Sequence, residues 1–495
     1  MPVLGKTLAE LATELGGRTH GDAGVFVTDV THDSRLAGDG TMYVAVRGSH
    51  VDGHEFVAGA VAAGCTAICV DHPMGSGVSE LEVANTRAVM GPLSASVHGD
   101  PSAAVAVVGV TGTNGKTTVT HYVESITAGA GHTPGLIGTV HTRVGAHSLV
   151  SERTTPEATD FQRLLAQMRD LGADVIAAEI SSHALELGRV SATKFAVGAF
   201  TNLSRDHLDF HGDMKSYRIA KESLFRDYEV GTAVINVNDR VGRDIAAMAS
   251  MPVIRVGTAA DLWADNLTTS FDGTGFDLVV SGDRHRVSAP LIGAFNVENA
   301  LVATGCCLAL GLAVDEVISG LGALGRVPGR FELVSGSFPI RVVVDYAHTP
   351  EGIKQAISVA ADLAAGRVIA VFGAGGDRDR EKRPMMGRAA LAADLAVLTS
   401  DNPRSEDPEA IIRDVMSGIE GSEIVVEADR RRAIEHAIHA ASPGDVVLIL
   451  GKGHETGQEI GDRVLPFEDK VVAGEVIDGI IRSSASGPDS GSMSP

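Results

Sequence analysis

The densest run of reactive residue types in the chain is GVTGTNGKTT at 109–118, which grows out of the apolar run AVAVVGV and leads into a helical pattern. Gly109, Gly112 and Gly115 let backbone N–H groups approach phosphate oxygens, and a helix N-terminus adds positive potential. Lys116 reaches the outer phosphates, and Thr117 offers a hydroxyl to Mg2+. The common phosphate loop has glycine where this chain has Val110, and Gly109 stands one residue early, so the spacing departs from the usual one while each chemical part is kept. The stretch reads as a nucleotide site walled by Gly112, Thr113, Asn114, Gly115, Lys116, Thr117 and Thr118. A second glycine-rich stretch, GAGGDR at 373–378, fails as a dinucleotide fingerprint, because Arg378 stands where close helix–strand packing needs a third glycine.

Other polar clusters follow apolar runs, at the places where open parallel sheets bind ligands. Glu179 closes DVIAAEI, and Asn202 leads into Ser204, Arg205, Asp206 and His207. A carboxylate and an imidazole at neighbouring strand ends, beside a phosphate loop, suit Mg2+ and the polarisation of phosphoryl oxygens. Further on, five runs end in polar clusters beginning at Asp345, Gly376, Asp401, Asp429 and Gly451. Each alone also fits a helix N-cap, and Asp429 reads as one. Together they describe a charged pocket for a zwitterionic or anionic ligand.

The elements that must hold these residues are those of an α/β protein. The 495 residues suit about three domains. Residues 1–98 mix short strands with an Ala-rich helix behind an amphipathic N-terminal helix. Residues 99–328 alternate strands with helices in a mostly parallel sheet around the phosphate loop, with a late antiparallel hairpin. Residues 329–482 give the most regular alternation, that of a doubly wound, Rossmann-like sheet, and 483–495 read as a disordered tail. A net charge of -22 opposes broad binding to nucleic acid or anionic membranes, so anionic ligands must be met locally. No apolar run is long enough to span a bilayer, no signal peptide is evident, and four cysteines make no disulfide framework. A cytoplasmic monomer is expected, one that binds small-molecule substrates and neither nucleic acid nor membranes. Cys65 and Cys69 are expected to share a strand face, and Cys306 and Cys307 to pack in an apolar helix.

The ordered motifs DSR (33–35), GTNGKTT (112–118), TTP (154–156), EISSHAL (179–185), TNLSRDHLDFH (201–211), AKESLF (220–225), FNVEN (295–299), PGRFE (328–332), DYAHTP (345–350), DNPR (401–404) and GKGHE (451–455) together resemble the Mur ligases. These are ATP-dependent enzymes that add amino acids to the peptidoglycan precursor. The resemblance implies a UDP-binding N-terminal domain, a central ATPase and a C-terminal domain that delivers the amino acid. It implies phosphorylation of a glutamyl carboxylate by ATP, with Mg2+, followed by amine attack on the acyl phosphate. Carried over, Lys116 and Thr117 hold phosphates and Mg2+, with Glu179 and His207 in the metal site. Asn299, Arg330 and Asp345 meet the nucleotide. Ser34, Thr154, Thr155, Ser182 and Arg189 position the UDP-linked dipeptide. Arg378, Asp401, Asn402, Arg404, Gly451 and Glu455 receive the amino acid.

Lys221, read alone, is a lysine on a solvated helix face. The resemblance makes it a carbamate, formed with CO2, that ligates Mg2+, and such a lysine needs a buried site that lowers its pKa. DNPR resembles the diaminopimelate-adding pattern: Arg404 would grip the carboxylate that distinguishes meso-diaminopimelate from L-lysine. The alternatives are an L-lysine-adding Mur ligase, a folylpolyglutamate synthase, which lacks the UDP-binding domain and DNPR, and a regulatory P-loop ATPase whose turnover needs no amine.

Overall fold

The computed structural model of the chain describes residues 4–48, 51–151, 153–336, 338–421 and 424–485. They form two compact units. One comprises the chain up to Asn202 with Arg218–Trp263 and Asn299–Ala323, and the other comprises Leu203–Tyr217, Ala264–Glu298 and the chain from Leu324 onward. Two segments that the sequence reading assigns to the central domain, 203–217 and 264–298, thus group with the C-terminal residues.

The first unit opens with the helix Leu8–Leu15, whose Thr7 and Glu10 form a reciprocal capping box and whose end is closed by left-handed Gly16. Its first sheet runs in the order Arg18–His20, Ser79–Glu82, Ala67–Val70, Thr41–Val44, Asp29–Thr31 and is parallel except for the first pair. Both faces are covered. Met42, Val44 and Cys69 pack with Leu8 and Leu11 on one side, while Tyr43, Ile68 and Val70 pack with Val57 and Cys65 on the other. Cys65 precedes the strand and lies in the opposite layer from Cys69, so the expectation of a shared face is wrong.

The unit's second sheet sets Pro134–Ile137, Val175–Glu179, Ala106–Thr111, Phe195–Phe200, Val230–Asn236 and Val253–Val256 side by side, all parallel. Central strands such as Val175–Glu179 are buried throughout, as a sheet covered on both faces requires. Arg163, on the helix Ala158–Asp170, ties that helix to the first sheet, its Nε donating to Asp29 at 3.0 Å and its Nη2 to the Val30 carbonyl at 2.5 Å.

In the second unit Gly273–Val280 and Asp283–Ala289 form the foreseen antiparallel hairpin. The C-terminal sheet runs Glu332–Leu333, Arg341–Asp345, Val446–Leu450, Val368–Phe372, Leu395–Leu398, Val425–Val426, parallel after its first antiparallel pair. Alternate strand residues feed two cores. Val343, Phe372 and Leu448 pack against Ile353, Met386 and Ile411, whereas Val344, Val371 and Ile449 pack against Ile434, Val472 and Ile477. The last helix spans Asp469–Ala485, so 483–485 are helical rather than part of a tail, and 486–495 lie outside the described residues.

Candidate functional site

The phosphate loop joins the strand Ala106–Thr111 to the helix Lys116–Gly129. Two of its glycines are required by geometry. Gly112 has φ 150°, and a Cβ there would lie 1.8 Å from Thr201 Oγ1; Gly115 has φ 90°, and its Cβ would lie 2.2 Å from Asn299 Oδ1. The loop is braced by Asn202, whose Oδ1 accepts from Asn114 N at 3.0 Å, and by Thr201, which donates to Asn114 O at 2.6 Å. Lys116 folds back, donating to the carbonyls of Gly112 at 3.0 Å and Thr113 at 2.9 Å.

Beneath the loop lies a carboxylate. Thr117 Oγ1 is 3.0 Å from each oxygen of Glu179, while Thr139 donates to Glu179 from its backbone at 2.8 Å and from its hydroxyl at 3.1 Å. Glu179 is 1% exposed. A hydroxyl and a carboxylate are hard oxygen donors, the type Mg2+ prefers, so these residues fit the ion. Lys221, from the helix Met214–Arg226, is also 1% exposed and donates to the Gly112 carbonyl at 2.8 Å. The solvated-face reading of this lysine is therefore excluded.

The residues carried over for the UDP-linked dipeptide lie in the same unit, and four of them surround this end of the sheet. Thr154 reaches the Thr139 hydroxyl at 3.0 Å, and Thr155 donates to the Glu179 carbonyl at 2.7 Å. Arg189 donates to Thr155 O at 3.3 Å and pairs with Glu157 at 2.9 Å. Ser182 is buried at the start of the helix Ser182–Glu186, which Ser181 caps. Ser34 lies in the first sheet's domain, opening the short 3-10 turn Ser34–Leu36.

The second unit holds the remaining candidates. Asp345 ends its strand half-buried, accepting backbone N–H bonds from Phe331 at 2.7 Å and Ala347 at 2.8 Å. Burial pushes its carboxyl above the usual range, against the pull of Arg330 and those two N–H groups. The Arg330 guanidinium lies 4.6 Å from the Tyr346 ring centroid, a cation–π arrangement. His207 is left-handed (φ 55°), with Nε2 3.4 Å from Asp206. Although burial alone would raise it, the Asp206 carboxyl is held well below its ordinary range by Lys382 at 2.8 Å and by His348 and His207.

The amino-acid candidates converge at the ends of Leu395–Leu398 and Val446–Leu450. Asn402 donates to Glu455 at 2.8 Å, and Gly451 approaches so closely that a Cβ would lie 2.4 Å from Asp401 Oδ2. Arg404, left-handed at φ 50°, donates from Nη1 to Gly376 O at 2.9 Å and pairs through Nε with Glu459 at 2.8 Å. Arg378 is exposed and donates to Asp377 O at 2.9 Å, and it flanks Gly375 together with Arg404: a Cβ there would lie 3.8 Å from Arg378 Cγ and 3.1 Å from Arg404 Nη1. Asp429 caps the helix Arg430–Ala440, as read.

Sequence reasoning placed Lys452 and Tyr346 in polar strand-end clusters without giving either a role of its own, and it passed over Thr139. Lys452, fully buried, is the hub of the amino-acid cluster, donating to Asn402 Oδ1 and Glu455 at 2.9 Å each and to Gly457 O at 2.6 Å. Its place inside GKGHE was the available signal. Tyr346, within DYAHTP, carries Arg330, and Thr139, which no motif marks, holds Glu179.

Family models match three stretches: the Mur ligase family catalytic domain at 27–93, the Mur ligase middle domain at 110–307 and the Mur ligase glutamate ligase domain at 329–453. The chain is 43% identical over 455 residues to the UDP-N-acetylmuramoyl-L-alanyl-D-glutamate--2,6-diaminopimelate ligase of Aquifex aeolicus, covering 92% of this chain and 94% of that one. It is 43% identical over 488 residues to the protein of the same name from Streptomyces coelicolor, covering 95% and 96%. A solved structure of a ligase of that name superposes with a TM-score of 0.69 at 30% identity, covering 97% of this chain and 100% of that chain.

Proposed function

The chain belongs to the Mur ligase family, and from that premise we propose that it is the ATP-dependent amide ligase that joins meso-diaminopimelate to UDP-N-acetylmuramoyl-L-alanyl-D-glutamate in peptidoglycan precursor synthesis. The domains then divide as 1–98 for the UDP moiety, 99–328 for ATP and 329–482 for the amino acid. A carboxylate is a poor electrophile with a poor leaving group. Transfer of the γ-phosphoryl group to the substrate's terminal glutamyl carboxylate converts that oxygen into a phosphate leaving group, and the amine then forms the amide as phosphate departs.

The chain's own residues serve the first step by positioning and charge. The loop N–H groups and Lys116 offset charge on the transferring phosphoryl group, in a protein whose overall charge of -22 would otherwise repel it. Thr117, Glu179 and a Lys221 carbamate would hold Mg2+, which supplies neutralisation of phosphoryl oxygens. His207 is kept as a ligand candidate on the sequence pattern alone. The Lys221 bond to Gly112 O is compatible with carbamylation, because the carbamate nitrogen keeps one N–H to donate. Arg189, Thr154 and Thr155 are assigned to the dipeptide, and Asn299, Arg330 and Asp345 to the nucleotide. Asp401, Asn402 and Glu455 would read the amino acid's distal ammonium, and Arg404 its distal carboxylate, which L-lysine lacks. The four cysteines are buried thiols, consistent with action in the reducing cytoplasm, and we assign the enzyme as a monomer.

The observation that carries this reading is the Thr117–Glu179 pair under a loop braced by Thr201 and Asn202, an arrangement suited to phosphoryl transfer. Isotope scrambling in ATP tests it. With the UDP-linked dipeptide and no amine, a label placed in the β,γ-bridging oxygen should move to non-bridging positions, since reversible acyl-phosphate formation frees the ADP phosphate to rotate. No scrambling, in a preparation that turns over fully once the amine is added, would contradict the acyl phosphate.

A further inference from the structure

The hairpin Gly457–Ile460 and Arg463–Pro466 lies just after GKGHE, and its first strand holds the DNPR loop at several points. Gln458 donates to Asp401 O at 2.7 Å, and Glu459 N donates to Asn402 Oδ1 at 3.0 Å. Arg404 N donates to Glu459 O at 3.0 Å, and Gly461 N to Arg404 O at 2.7 Å. These backbone bonds hold Arg404 at φ 50°, a conformation that a non-glycine residue keeps only when its surroundings over-determine it. The side chain is pinned too. Its Nε meets Glu459 Oε2 at 2.8 Å and its Nη1 meets Gly376 O at 2.9 Å, while Nη2 makes no hydrogen bond among the described residues. Two nitrogens fix the guanidinium plane and the third is presented.

Resting on the reading above, we propose that Glu459 is a positioning residue that aims Arg404 at the distal carboxylate of the incoming diamino diacid. Arginine has many rotamers, and one that must be ordered at the moment of binding gives up affinity that a pre-set one keeps. A half-exposed ion pair adds little to stability, so the value of this one lies in orientation. The pair also explains how one guanidinium serves both partners: Glu459 takes its Nε edge, leaving the Nη2 end for substrate.

The test compares wild type, Glu459→Ala, Glu459→Gln, Arg404→Ala and the double alanine variant in the full chain, with ATP, UDP-linked dipeptide and meso-diaminopimelate. Glu459→Ala should raise KM for the diamino acid about tenfold with kcat within about twofold, the scale of a misaimed substrate contact. KM for ATP and the thermal midpoint should not move. Glu459→Gln, which keeps the shape and a polar atom facing Nε but not the charge, should recover part of the loss. Added to Arg404→Ala, Glu459→Ala should cost nothing more. An unchanged KM in Glu459→Ala, or the same further loss without Arg404, would overturn the proposal. Should the alanine variant fail to fold, Glu459→Lys, which repels Arg404 from the same half-exposed position, carries the same expectation. Failure of the underlying reading looks different: the wild type itself would show no turnover dependent on the diamino acid.

Discussion

At the scale of single residues, the proposed chemistry rests on two lysines. Lys116 donates to the Gly112 and Thr113 carbonyls, so its ammonium already sits at the loop where the outer phosphates belong. Lys116→Ala should lower kcat by about 10²–10³-fold, the scale for one preorganised electrostatic group, and steady-state phosphate release measures it. Lys221 makes a more specific prediction. Protein equilibrated with 13C-bicarbonate should show a carbamate carbon resonance that Lys221→Ala lacks, and a short carboxylic acid should restore part of that variant's turnover; an identical spectrum in the variant would remove the carbamate from the account. Lys116 was legible from the phosphate loop itself, and Lys221 only through the family resemblance. Lys452 stood inside GKGHE, but its burial was not legible. A lone lysine in a glycine-rich stretch has no periodicity to mark it as fully buried, and only the fold brings Asn402, Glu455 and Gly457 O around its ammonium.

The strands could be read because parallel strands covered on both faces show continuous apolar runs, as VIAVF and VVLIL do at Val368–Phe372 and Val446–Leu450. Strand edges were harder. Among the described residues of EIVVEA, the strand is Val425–Val426 at the sheet's edge, where one neighbour rather than two supports pairing. The side to which Cys65 belongs depends on where the strand begins, at Ala67, and composition cannot say that. Nor did the pattern show what anchors the last helix. Arg430, at the start of Arg430–Ala440, forms a fully buried pair with Asp469, which opens Asp469–Ala485, with both Asp469 oxygens at 2.7 Å, and also donates to Leu450 O at 3.0 Å. Asp469→Asn would leave a buried guanidinium uncompensated and should destabilise the fold by about 3–5 kcal/mol, read as a lowered midpoint in urea unfolding. A midpoint equal to wild type would show that the pair does not anchor the helix.

For the whole molecule, charge governs both stability and ligand capture. Glu406 accepts from Arg383, and this bond, outweighing partial burial, brings its carboxyl down from 4.5 to about 2. A carboxyl depressed on folding adds stability above its unfolded value and loses it as pH falls, so this contribution disappears between about pH 4.5 and 2. Glu406→Gln should therefore be less stable than wild type at neutral pH, and the difference should shrink through that window in pH-dependent unfolding. With a charge of -22, the chain needs local cations to meet its anionic substrates, and the proposed function gives that part to Lys116, Arg189, Arg330 and Arg404. Three anionic or zwitterionic substrates combined in one turnover is the central claim. The most direct measurement is phosphate release from ATP with the UDP-linked dipeptide and a panel of amines, with the peptide product identified by mass. The account predicts release that requires both dipeptide and amine, and a kcat/KM for meso-diaminopimelate about 10⁴-fold above that for L-lysine, because lysine leaves the Arg404 site without its carboxylate. Release without any amine, or equal use of the two amines, would contradict it.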